Sequence, residues 1–154
     1  MRHYYFEDFK GGQTFSGSTR IRVDKEDIIR FAAEFDPQPF HLDEEAAKET
    51  IFSGLAASGW HTSAITMRLM VDSKLKVAGG LIGLGMEELR WPRPVRAGDE
   101  LRVQSEVLDT RESKSRPQQG LVRVRNTTLN QRDEVVQVSV STMIVPRRPA
   151  MPEN

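Results

Sequence analysis

Apolar and polar positions follow two different periods along the chain, and the change falls near its middle. The first half is helical in rhythm. Asp24 can cap a helix, Glu26 and Asp27 suit its positive first turn, and Ile28, Ile29, Phe31, Ala32 and Phe35 form an apolar stripe. Pro37 disfavours helical backbone at Asp36, so this helix is expected to stop there. A short helix from Asp43 to about Thr50 follows, with Asp43 as its cap.

The longest helical run is "ASGWHTSAITMRLMVDSKLKV", which Ser58 can cap. Trp60, Ala64, Met67 and Val71 make one stripe, and Ile65, Leu69 and Met70 widen it. A stripe that broad predicts a helix enclosed by other structure, with its Met and Trp side chains in the core.

The second half alternates instead. Leu101, Val103, Ser105 and Val107 face one way in "LRVQSEVLDTRE", and Arg102, Gln104 and Glu106 the other. "GLIGLGMEELRW", "LVRVRNTTLNQ" and "VVQVSVSTMIV" read as further strands, and turns fall at "PRPVRAGDEL", "SKSRPQQG" and "NQRDE". "TRIRV" is a short strand before the first helix. Long strands joined by short turns imply an antiparallel sheet. The order is a short strand, helices, a long helix and four long strands, which predicts an α+β fold with helices on one face of the sheet.

Composition narrows the picture. The 154 residues suit a single domain, 1–154, with a core from about 6 to 146. The first dozen residues and the tail from about 147 to 154 are expected to be loose. The 22 Lys and Arg balance the 22 Asp and Glu, which argues against a nucleic-acid partner. There is no cysteine, which fits a reducing cytosol and removes thiolate chemistry. "MRHYYFEDFKGG" lacks the apolar core of a signal peptide, and the uncharged run 51–66 is too polar to span a membrane. The expectation is a soluble, cytoplasmic protein.

Candidate chemistry concentrates in "FDPQPFHLDEEAA", where Asp36 and His41 flank Pro37 and Pro39. Two prolines fix φ at two positions and stiffen the segment. A carboxylate and an imidazole held close together can share a water and move protons. Turn chemistry alone leaves ordinary roles open: Asp36 as a helix-end residue, the prolines as stiffeners, His41 as a half-buried structural histidine. Gly59, at the predicted start of the long helix, can offer a backbone N–H there, or simply be a helix-start glycine. His61, on the same turn, and His3 are weaker candidates. Three histidines without an H-x-x-x-H pair predict no metal, and no phosphate-binding glycine motif predicts a nucleotide cofactor.

These residues resemble the MaoC-like dehydratases, the (R)-specific enoyl-CoA hydratases of hot-dog fold. "DPQPFH" matches that family's D-x-N-P-x-H, with Asp36, Pro39 and His41 in the matching places and Gln38 where Asn is usual. Gly59 in "AASGWHT" stands at the family's spacing from the histidine, and "RWPRPVRAGDEL" is similar to its strand-turn punctuation. The resemblance implies a long central helix wrapped by a curved antiparallel sheet. It implies a hydro-lyase acting on the 2,3 double bond of an enoyl thioester, carried by CoA or an acyl-carrier protein, with no cofactor beyond that substrate. Asp36 and His41 would be the catalytic pair, and Gly59 with Ser58 would bind the thioester oxygen. Arg93, Arg96 and Arg116, in predicted turns, are candidates for CoA phosphates, although exposed turn arginines are ordinary. A homodimer is expected, or a higher assembly of dimers. The alternatives are a thioesterase, against which stands the lack of any carboxylate on the long helix before Asp72, and a non-catalytic acyl-CoA-binding module.

Overall fold

The computed structural model describes residues 2–150. After a 3-10 turn at Phe6–Asp8 come β1 (Thr14–Ser16), β2 (Ile21–Arg22), α1 (Lys25–Phe35), α2 (Pro39–Leu42), α3 (Glu44–Lys48) and α4 (Gly59–Asp72). Then follow β3 (Ile82–Arg90), β4 (Glu100–Glu112), β5 (Gln119–Leu129) and β6 (Val135–Pro146). The sheet runs β1-β4-β5-β6-β3, with β2 on another stretch of β4. Every pairing between named strands is antiparallel. With α4 packed on this sheet, the arrangement is the expected α+β hot-dog fold.

The alternation in β4 appears as read: Leu101, Val103, Ser105 and Val107 are all buried. Leu101 and Val103 meet Ile65, Leu69 and Met70 of α4, together with Val136 of β6, in one apolar cluster. Burial of such side chains is the main source of stability, and Leu69→Ala would cost about 2–5 kcal/mol. A polar layer also crosses this interface. Thr66 shares a hydrogen bond with Thr128 at 2.6 Å, and Ser63 donates to Gln137 at 2.8 Å.

Four expectations change. The stripe through Trp60, Met67 and Val71 is the outer face of α4, with exposures of 60%, 48% and 47%. The buried face instead carries His61, Thr62, Ile65, Thr66, Leu69 and Met70. Buried Thr66 is paired with Thr128 and half-buried Ser63 with Gln137, and a hydropathy pattern does not register such partners. The helix also stops at Asp72, five residues before the sequence run ends. Asp24 sits at the N-cap of α1, but its carboxylate receives Arg22 Nε at 2.9 Å rather than a helix N–H.

The N-terminal segment is packed, not loose. Phe6, Phe9 and Phe15 join Leu75, Val107 and Val122 in a second apolar cluster. At the other end, Arg147 and Arg148 pair with Glu7, Glu112 and Asp8. The expectation for 151–154 lies outside the described residues.

Candidate active site

The proline-rich segment folds as a corner followed by one helical turn. α1 ends at Phe35, and Asp36 leaves helical backbone with φ −151° and ψ 65°. Pro39 opens α2, where its missing N–H costs nothing, and His41 falls inside that turn. The stiff loop read from the prolines is thus half helix.

His41 is only 5% exposed, and both ring nitrogens face protein. Nδ1 lies 2.6 Å from the Ala56 carbonyl. A carbonyl only accepts, so Nδ1 carries the hydrogen, and Nε2 is turned to Asp36 Oδ2 at 3.3 Å. Phe40 and Phe52 border the imidazole, with ring centroids at 4.6 and 6.2 Å.

Asp36 is held from two further sides. Gln38 Nε2 donates to Oδ1 at 2.6 Å, and Ser58 Oγ donates to Oδ2 at 2.7 Å. Burial pushes the carboxyl upward, but the Gln38 and Ser58 hydrogen bonds and the charge of His41 outweigh it. The group is therefore held below the usual carboxylate range and is ionised at neutral pH. Gln38, in the place of the family's usual Asn, serves as a donor to the acid.

Ser58 and Gly59 open α4 beside this pair. The one hydroxyl proton of Ser58 goes to Asp36, while its oxygen accepts the Trp60 N–H at 3.3 Å. Ser58 therefore orients the carboxylate and caps the helix, rather than reaching toward a substrate as expected. The Gly59 N–H, first of the helix, has no acceptor among the described residues. A Cβ at Gly59 would lie 2.6 Å from the indole of Trp91, so the glycine permits this close approach. Trp91 is itself fixed, donating Nε1–H to Gln137 at 2.9 Å.

A cleft of about 450 Å³ adjoins these groups, lined by His41, Phe52, Gly59, Thr62, Trp91 and Arg93 among others. The structure brings Asp36, His41, Ser58 and Gly59 together. Of the three arginines, Arg93 lines the cleft and pairs with Glu134 at 3.2 Å. Arg96 lies in its wall, with its guanidinium on the carbonyls of Phe52, Gly54 and Leu55. Arg116 sits in the β4–β5 turn beyond the Glu112–Gly120 pair, at the end of the sheet opposite the Arg102–Leu129 pair, and is not brought to the cleft. His61 faces a separate cleft beside α1, and His3 lies far along the surface by the Val77–Gly80 turn. Among the described residues no three His, Asp or Glu side chains cluster as metal ligands, and no helix is long and apolar enough to cross a membrane.

Sequence reasoning missed the Ala56 carbonyl, Gln137 and Trp91. A backbone carbonyl leaves no sequence signal at all. Gln137, a lone amide inside "VVQVSV", did leave one.

The family model described as the MaoC like domain matches residues 8–130. The chain belongs to the MaoC-like dehydratase family. A MaoC-like dehydratase from Rhodospirillum rubrum, known by crystal structure, is 55% identical with a TM-score of 0.91, over 96% of this chain and 99% of that one. The uncharacterized protein YdeM of Bacillus subtilis is 36% identical over 139 residues, 90% of this chain and 96% of YdeM. The unliganded (R)-hydratase PhaJ1 of Pseudomonas aeruginosa is 26% identical with a TM-score of 0.72, over 97% and 92% of the two chains.

Proposed function

We propose that this protein is a hydro-lyase that adds water to, or removes it from, the 2,3 double bond of an enoyl thioester, with coenzyme A as the expected carrier. The observation that carries the reading is the ionised Asp36 facing His41 Nε2 at 3.3 Å, beside a cleft that Gly59, the first residue of α4, also lines. The likeness to a hydratase across nearly the whole chain supports it.

In this reading Asp36 takes a proton from a water as the water oxygen bonds to C3. The double-bond electrons move toward C2 and onto the thioester oxygen, which accepts the Gly59 N–H. The imidazolium of His41 then gives its Nε2 proton to C2. The proton left on Asp36 returns to His41, and both groups regain their starting states. A donor fixed at a helix start acts without reorganisation, and loss of one such donor typically costs about 2.7–4 kcal/mol. Arg93, exposed at the cleft, is the arginine available for a CoA phosphate.

A homodimer belongs to the same proposal. β3 is an edge strand that exposes Ile82, Leu84 and Met86, and α4 exposes Trp60, Met67 and Val71. Large apolar side chains in such numbers on one edge and one helix suit a covered surface. Sedimentation at micromolar concentration tests it, and a monomer would refute it.

The test of the reaction is loss of enoyl absorbance from 2-enoyl-CoA thioesters of graded chain length. Released thiol without loss of the double bond would mean a thioesterase. Thermal stabilisation by acyl-CoA with no turnover would mean a binding module.

A further inference from the structure

Arg96 occupies a wall of the cleft, yet its guanidinium is turned into the chain. Nη1 donates to the carbonyls of Gly54 at 2.9 Å and Leu55 at 3.2 Å, and Nη2 donates to that of Phe52. These carbonyls belong to the connection between α3 and α4. That connection has unusual backbone, with φ of 53° at Ser53 and 156° at Gly54. Converging carbonyls of this kind suit a planar fork of donors, which a lysine cannot imitate.

The next residue completes a path to the imidazole. Ala56 N–H donates to Phe40 O at 3.1 Å, and the Ala56 carbonyl takes the Nδ1 hydrogen of His41. Ala57 N–H donates to the carbonyl of Val95, the neighbour of Arg96, at 2.9 Å. The segment from 52 to 57 is thus tied on one side to residues 95 and 96, and on the other to α2.

We infer that Arg96 is a positioning residue for His41, holding the Ala56 carbonyl where it keeps the hydrogen on Nδ1 and turns Nε2 toward Asp36. Its consequence for turnover rests on the hydratase reading above, whereas its consequence for the imidazole does not. A phosphate contact by the same guanidinium would withdraw donors from Phe52, Gly54 and Leu55, and an unpaired carbonyl at buried Leu55 is unfavourable.

The test uses the whole chain and two variants, Arg96→Gln and Arg96→Lys. The first readout is the ring ¹⁵N signature of the neutral His41 imidazole without substrate. The second is kcat and KM for one enoyl group on CoA and on N-acetylcysteamine, which has no phosphate. The expected result is a single Nδ1–H tautomer in the wild type and a mixture in both variants. With it, kcat falls about ten- to a hundredfold on both thioesters, as a small misplacement of a reacting group would produce. An unchanged ring signature overturns the inference. So does a loss confined to the CoA thioester and expressed in KM, which is the mark of a phosphate contact. If Arg96→Gln does not fold, Arg96→Lys, which keeps the charge without the fork, supplies both measurements. If the wild type turns over neither thioester, the hydratase reading fails and the ring signature alone decides the role of Arg96.

Discussion

Two buried histidines flank the first turn of α4 in opposite circumstances. His41 has a carbonyl on Nδ1 and a carboxylate facing Nε2. His61 stacks flat on Phe31, with centroids 4.7 Å apart at 8°, and its buried Nδ1 has no partner among the described residues. It lines a cleft of about 310 Å³ with Phe31, Glu34 and Ile65. Burial pushes the His61 imidazole below its usual value. Asp27 opposes that shift and Arg30 adds to it. Burial alone therefore does not make a histidine chemically useful. What separates the two is an acceptor that selects one tautomer and an acid placed to share a proton with the other nitrogen.

The largest expected effect breaks the comparison directly. Asp36→Asn and His41→Ala should each lower turnover about 10²–10⁴-fold, the usual share of acid–base catalysis, whereas His61→Phe should leave it nearly intact. An equal loss in His61→Phe would move the chemistry to the other cleft. Next comes Gly59→Ala, whose methyl group meets the Trp91 indole. Overpacking of this kind should cost about 1–3 kcal/mol in urea unfolding, and Trp emission should shift as the indole is displaced.

Ser58→Ala sharpens the contrast more gently. Loss of the cap should cost about 0.5–2 kcal/mol of stability. Without the Ser58 donor, the Asp36 carboxyl should also titrate higher, which would move the acid limb of the pH–rate profile upward.

The smallest effect concerns pH and stability, and the two sites differ in its window. His61 binds its proton more readily unfolded than folded, so stability is complete above about 6.5 and falls as pH drops below it. His61→Phe, which keeps a ring against Phe31, should flatten that part of the curve. Asp36 acts lower. Its contribution is present above the unfolded value near 3.8 and is lost as pH falls through the lower folded value. Denaturation midpoints from about pH 2 to 8 would check this ordering, and an unchanged slope in His61→Phe would refute the buried-neutral description of that residue.

Much of the fold was legible because strand alternation and proline placement are local. β4 shows its four buried positions at the expected spacing, and α1 stops at the residue before Asp36. Asp43 caps α3 as read, accepting from the N–H groups of Glu45 and Ala46. The face of α4 was not legible. Its outer stripe is more apolar than part of its inner one, and Thr66 and Ser63 are drawn inward by Thr128 and Gln137, which lie more than sixty residues away. The same holds for Arg96. Its charge suggested phosphate, while its partners are carbonyls about forty residues earlier in the chain.

By itself, then, the sequence determined the kinds of element, their order and the short motif that holds Asp36 and His41 on one corner. These depend on the backbone preferences of neighbouring residues. Only the tertiary structure decided which ring nitrogen of His41 faces Asp36, what holds the Asp36 carboxyl low and which arginine lies exposed beside the cleft. Those outcomes depend on the Ser58 hydroxyl as donor and on the carbonyls of Ala56, Phe52, Gly54 and Leu55 as acceptors, groups that folding alone brings within reach.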